Sequence, residues 1–322
     1  MAARGARITI RPQRSARPSL TSRLRRKLGL AYGDEAALIK ELRSFLPDLV
    51  IFSQGGSYDL VLYPQVTGWL QARRIRYRVI ANWQQEHPQL ETSQLHLIRD
   101  TFVTADHIYF VSTRNLAVTR RHLATPLPHA SLIQNPLRWQ SADVAPWPQG
   151  PVARLATVSR LDEGKGIQVL LQALAAAPAL PAWQLNIFGS GPQEPHLRQA
   201  VAELGLQGHV CFRGYVSGLR AIWAENQLMI SPSLEDGVPM TIPEAMLCQR
   251  PVLATRVGGA EDWIIPQRTG FLCPQSTTGD MRKSLQQALD AREDWEDMGR
   301  AAAESAFGRY RPDDYLQLIA ES

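Results

Sequence analysis

The chain has 322 residues, 44% of them apolar and 20% charged, with a formal net charge of +5. That length favours two domains over one core, and the composition is that of an ordinary globular chain rather than a disordered or fibrous one. The longest apolar patch, residues 173–180, is short and broken by Pro178, too little to span a membrane.

In chain order, residues 1–28 come first, with eight arginines, one lysine and no acid before Asp34. Such a block attracts phosphate-rich surfaces, anionic lipid headgroups among them; the competing reading is a solvated terminus. The block lacks the apolar h-region of a secretory signal, and no aromatic platform interleaves its charges as nucleic-acid binding would require. Strand candidates follow at 8–10, 48–53, 77–81 and 107–112, with helical stretches near 34–46, 91–103 and 113–124. Residues 135–151, NPLRWQSADVAPWPQGP, contain four prolines and little periodicity and read as a linker.

From residue 151 the alternation of strand and helix sharpens. LATVS at 155–159 reads as a buried strand, followed by a helix with Ile167, Leu170, Leu171 and Leu174 on one face. WQLNIFG at 183–189 is the next strand, then a helix through Leu197, Val201 and Leu204, then the strands HVCFRG, QLMIS and PVLAT. The expected architecture is α/β, with domains at 1–135 and 151–322 joined by a linker at 136–150. Each sheet would be parallel and covered on both faces, with ligands at the carboxyl ends of the strands. Cys211, Cys248 and Cys273 are widely spaced in apolar contexts and read as reduced core residues of a cytoplasmic protein. The seven histidines show no ligand spacing, so no metal site is expected.

Functional signals gather at those strand ends. Arg160 and Lys165, in VSRLDEGKG, bring a guanidinium and an ammonium to the loop that opens a helix. They suit a departing diphosphate, or else form weak surface ion pairs with Asp162 and Glu163. Gly189 and Gly191 in FGSGP, and the glycines of VGGAED at 257–262, allow close backbone approach to a ligand or make plain tight turns. In SLEDGVPMTIPEAM, Asp236 and Glu244 flank a turn containing Gly237 and Pro239. Two carboxylates so placed can accept hydrogen bonds from sugar hydroxyls at one end and ribose hydroxyls at the other, or serve as helix-capping acids. Convergence of these groups on one rim favours a ligand site.

The stretches VSRLDEGKG, LNIFGSGP, HVCFRGYV, SPSLEDGVPMTIPEAM, PVLATRVGGAEDWI and TGFLCP resemble, in order and rough spacing, the donor domain of the retaining glycosyltransferases of family 4. The resemblance covers about residues 150–275 and implies the GT-B fold, two Rossmann-like domains about a cleft. It implies that Arg160 and Lys165 contact a donor diphosphate and that Glu244 holds the ribose. Asp236, where the family usually has glutamate, would hold the sugar with the backbone of Gly237, Val238, Pro239 and Met240, and Arg213, Tyr215 and Val216 would lie near the base. The first half resembles only the later part of the acceptor domain. The opening strand with its glycine-rich loop is not evident, so that domain reads as incomplete. A histidine often follows the family strand that matches YRVIA; here Asn82, Trp83, Gln84 and Gln85 stand there, and His87 reads as a surface residue. The implied activity is transfer of a sugar from a nucleotide-sugar donor to a sugar or lipid-linked acceptor, in polysaccharide or glycoconjugate synthesis. No cofactor or metal is implied, and peripheral contact with the inner face of an anionic membrane is an option. The alternative is an inactive nucleotide-sugar-binding remnant.

Overall fold

The computed structural model describes residues 35–177, 180–315 and 318. The expected strand at 8–10 and the basic segment 1–28 lie outside them. The first sheet has four parallel strands in the order β1 (Leu49–Gln54), β2 (Arg76–Ala81), β3 (His107–Phe110), β4 (Ala130–Leu132). Helices α1 (Glu35–Phe45), α2 (Pro64–Ala72), α3 (Thr92–Thr104) and α4 (Thr113–Leu123) precede or connect these strands.

β2 shows how its uninterrupted run RYRVIA is used. Successive strand residues face opposite sides, so Tyr77, Val79 and Ala81 enter one cluster with Phe102, Ile108 and Phe110. Ile80, on the other face, packs with Tyr109, Val111, Ile133 and Leu318. That second face is covered by the carboxyl-terminal tail: Arg78 Nη1 donates to Leu318 O at 2.9 Å and Tyr315 hydroxyl to Asn135 Oδ1 at 2.7 Å. Tyr315 and Leu318 therefore pack on the first sheet, although the sequence reading placed them with the second domain. β3 is also shorter than expected: Ser112 already caps α4, its Oγ accepting from Asn115 N.

The second sheet has six parallel strands in the order β7-β6-β5-β8-β9-β10. They are β5 (Ala153–Val158), β6 (Trp183–Phe188), β7 (Val210–Gly214), β8 (Leu228–Ser231), β9 (Val252–Thr255) and β10 (Gly270–Cys273). Their connections include α5 (Ile167–Ala175), α6 (Glu194–Glu203), α7 (Leu219–Trp223), α8 (Thr241–Leu247) and α9 (Ala260–Trp263). α10 (Thr278–Asp290) and α11 (Trp295–Arg309) close the domain. The apolar stripe of α5, Ile167, Leu170, Leu171 and Leu174, is buried against Leu155, Leu185 and Leu285, as its spacing predicts. β5 lies between β6 and β8, so strand order reverses there. In open α/β sheets, ligands bind beyond the carboxyl ends of the two strands at such a reversal.

The segment 136–150 is more than a tether. It carries a 3-10 turn at Ser141–Asp143, and buried Arg250 donates to the carbonyls of Ala145 and Pro146. Of the cysteines, Cys248 and Cys273 are buried and Cys211 is half-buried.

Candidate functional site

The loops leaving β5 and β8 meet beyond the strand reversal. Leu234 N donates to Gly164 O at 2.8 Å, which stitches loop 159–166 to loop 232–240. Across this junction Lys165 Nζ lies 2.5 Å from Asp236 Oδ2, both half-buried, and Gly237 N donates to Asp236 Oδ1 at 2.9 Å. One cation and one carboxylate thus face the same space from adjacent strands. Glu235 turns away, its side chain lying over Gly164.

Arg160 does not join that pair. Its side chain is 75% exposed and held by Asp162, Nε to Oδ2 at 2.8 Å, the surface pairing that was the competing expectation. At Gly189 and Gly191 the close approach seen is of one loop to another: a Cβ would fall 1.8 Å from Ser159 O or 2.6 Å from Leu161 O, respectively. These glycines let the β6 loop press on the β5 loop that carries Arg160.

Glu244, in the first turn of α8, is buried, and burial pushes its carboxyl above the ordinary range despite the hydrogen bond from Arg138 N to Oε1 at 3.2 Å. Arg138 Nη1 also donates to Tyr215 hydroxyl at 3.3 Å, so Arg138, from the presumed linker, sits between two expected site residues. The sequence reading missed it, since NPLRW has no periodicity and only the tertiary return of the chain brings it here. Tyr215 is exposed on the rim, Val216 is half-buried beside the α8 cluster, and Arg213 is turned to Glu225 at 2.8 Å.

The turn at 237–240 also forms the contact with the first domain. A Cβ at Gly237 would fall 1.8 Å from Asn82 O, so only glycine lets the loop after β2 approach this closely. Val238 packs beside Ile80, Tyr109 and Val111, Pro239 is buried, and Met240 begins α8 as its N-cap. Asp262 reaches across to α4, its Oδ2 accepting from Thr113 N at 2.9 Å and its Oδ1 from the Thr113 hydroxyl. His87 is exposed. Among the described residues, no group of three or more His, Cys, Asp or Glu is placed to hold a metal ion. No helix among them is long and apolar enough to cross a membrane.

Comparisons with known proteins bear on the family and the fold. Residues 153–291 match the model of Glycosyl transferases group 1. The chain is 29% identical over 157 residues to N-acetyl-alpha-D-glucosaminyl L-malate synthase of Bacillus anthracis, covering 49% of this chain and 41% of that one. It is 32% identical over 157 residues to D-inositol 3-phosphate glycosyltransferase of Pseudarthrobacter chlorophenolicus, covering 46% of this chain and 37% of the other. The matched region thus spans less than half the length of either relative. In structure the chain is similar to Anabaena HepE, solved in complex with UDP, with a TM-score of 0.72 at 18% identity over 89% of this chain and 80% of that one. That likeness establishes the two-domain GT-B fold.

Proposed function

Because residues 153–291 belong to the glycosyl transferases group 1 family, we propose that this chain transfers a hexosyl group from a nucleoside-diphosphate sugar to an acceptor hydroxyl, with retention of configuration. The observation that carries the proposal is the Lys165–Asp236 pair at the strand reversal, with Glu244 eight residues beyond Asp236 in the same turn and helix. In the reaction, the bond from the sugar's anomeric carbon to the phosphate oxygen breaks and the acceptor oxygen bonds that carbon. The acceptor proton leaves with the diphosphate.

Lys165 meets the negative charge that develops on the leaving oxygen, and Arg160 joins it by swinging off its exposed partner Asp162. Asp236, released from Lys165 as the diphosphate takes that cation, accepts hydrogen bonds from the sugar hydroxyls, and the amides from Gly237 to Met240 line the same turn. Glu244 accepts from the ribose hydroxyls, while Arg138 and Tyr215 flank the nucleoside. The backbone of Arg213 to Val216 borders the base. The named partner of HepE, UDP, supports uridine as the base to test first. The role in polysaccharide or glycoconjugate synthesis belongs to this same proposal, as does contact of residues 1–28 with the inner face of an anionic membrane.

The test is a calorimetric titration of UDP, GDP and their glucose and N-acetylglucosamine esters, followed by NMR of the anomeric proton in any product. Binding of a nucleotide sugar and an axial product bond from an axial donor are expected. No binding of any nucleotide, or an inverted product, sinks the reading.

A further inference from the structure

The loop after β2 holds an amide that the fold leaves unused. Gln84 is 6% exposed, and among the described residues neither its Oε1 nor its Nε2 has a hydrogen-bond partner. On the neighbouring strand end, Gln54 is 2% exposed; its Oε1 accepts from Leu60 N at 3.3 Å, but its Nε2 is likewise unpaired. The two strand ends are fixed to one another. Asn82 Nδ2 donates to Gln54 O at 2.9 Å, and Gln85 N donates to Ser57 Oγ. Two residues before Gln84, the carbonyl of Asn82 meets Gly237, the residue after Asp236. The loop that carries the buried Gln84 amide therefore meets the second domain at the turn that follows Asp236.

A buried amide without partners destabilises the fold, and a substrate relieves that cost by supplying the missing bonds. We infer that Gln84, with Gln54 on the adjoining strand end, forms the acceptor subsite, and that the group seated there is an uncharged sugar or polyol. The inference rests on the transferase reading above and names its acceptor class. A hydroxyl both donates and accepts, which matches the donor and acceptor atoms of one free amide. Charged groups on the same rim are already engaged. Glu86 pairs with Arg121 at 2.6 Å and with Arg114 at 3.3 Å, and His122 uses one ring nitrogen on Tyr58 hydroxyl and the other on Glu86 O. An anionic acceptor would have to break that cluster, whereas a neutral hydroxyl needs only the amides.

The full chain and its Gln84→Leu variant decide the matter through three measurements. The first is the melting temperature without ligand. If the amide is unsatisfied, the leucine variant melts at or above the wild-type temperature; a clear fall shows that the protein itself satisfies Gln84 and overturns the inference. The second is ligand-observed NMR, with and without UDP, of a panel of methyl glycosides and inositols against the matching sugar and inositol phosphates. Neutral members should bind wild type at least tenfold more tightly than their phosphates, and the variant should weaken them about tenfold, the equivalent of one hydrogen bond of about 1.4 kcal/mol. Preference for phosphates, binding by no neutral member, or equal binding by both proteins overturns it. The third is titration of UDP-glucose against UDP: a loss confined to UDP-glucose would move Gln84 to the transferred sugar and overturn the acceptor assignment. Wild type that binds no nucleotide sinks the transferase reading, while the melting and nucleotide-free arms still decide the subsite.

Discussion

Lys165 Nζ stands 2.5 Å from Asp236 Oδ2, joining the loops that leave β5 and β8. Without a donor, each charge is neutralised by the other. A diphosphate competes with Asp236 for the lysine, so binding of the nucleotide end and release of the sugar-binding acid are one event. Lys165→Ala should lower turnover about 10²–10³-fold, on the order of 2–4 kcal/mol of lost leaving-group stabilisation, with the melting temperature little changed. Steady-state kinetics beside a thermal melt checks it; unchanged turnover removes the diphosphate assignment.

Asp236→Asn should weaken the intact nucleotide sugar, whose hydroxyls lose this carboxylate, while free nucleoside diphosphate should bind as tightly as to wild type or more so, because Lys165 no longer has to leave Asp236. Glu244→Gln should weaken both, since both carry the ribose. Parallel titrations of the two ligands against the two variants decide the division of labour, and the same loss pattern in both would refute it.

Glu244 also sets a pH signature. Burial raises its folded-state carboxyl above the ordinary value of 4.5, so from there upward the folded protein holds a proton that the unfolded chain has released. Its contribution to stability therefore falls as pH rises from the ordinary value through the raised one, and it is recovered on acidification. Glu244→Gln removes the penalty: the unliganded variant should melt higher than wild type at pH 7, with the gap closing as pH approaches 4.5. A gap that stays constant between those pH values would show that the effect is not titration of this group.

How far such features can be read from residues alone depends on whether their cause is local. The stripe Ile167, Leu170, Leu171, Leu174 is a period within one helix, and Lys165 and Asp236 announce themselves by following strands that read clearly as strands. Arg138 does not, because its place beside Glu244 exists only once the chain folds back over α8. β4 is three residues long and leaves too little alternation to detect. Gln84 was visible only as a position without the family's histidine. Its burial without partners is a property of packing, and no spacing in the sequence encodes it. Arg160 reads as a phosphate contact by position, yet in the unliganded chain it rests on Asp162.

The contact of Asp262 with Thr113 ties the two domains at the mouth of the cleft. Hydrogen bonds to a charged acceptor are worth about 1.5–3 kcal/mol, less where water reaches the pair, as it does here. Asp262→Ala should open the domains, seen as a larger radius of gyration in small-angle scattering of the unliganded protein, and should raise the KM for donor more than it lowers kcat. Identical scattering curves for variant and wild type would show that the contact does not hold the cleft.

Residues 1–28 supply the last expectation. Eight arginines and one lysine without an acid, including the run Arg23, Arg25, Arg26 and Lys27, should draw the chain to anionic bilayers. Each basic residue near such a surface contributes about 1 kcal/mol, and the attraction decays within a Debye length of roughly 10 Å at 0.1 M salt. Leu24, Leu28 and Leu30 add apolar character without a clean amphipathic stripe, so electrostatics should dominate and salt should release the protein. Sedimentation with phosphatidylserine vesicles at low and high salt, for the full chain and for a chain lacking residues 1–28, measures this. The full chain should pellet at low salt alone, and the shortened one at neither. Equal partitioning of the two would mean that the segment is merely solvated and that acceptor choice owes nothing to the membrane surface.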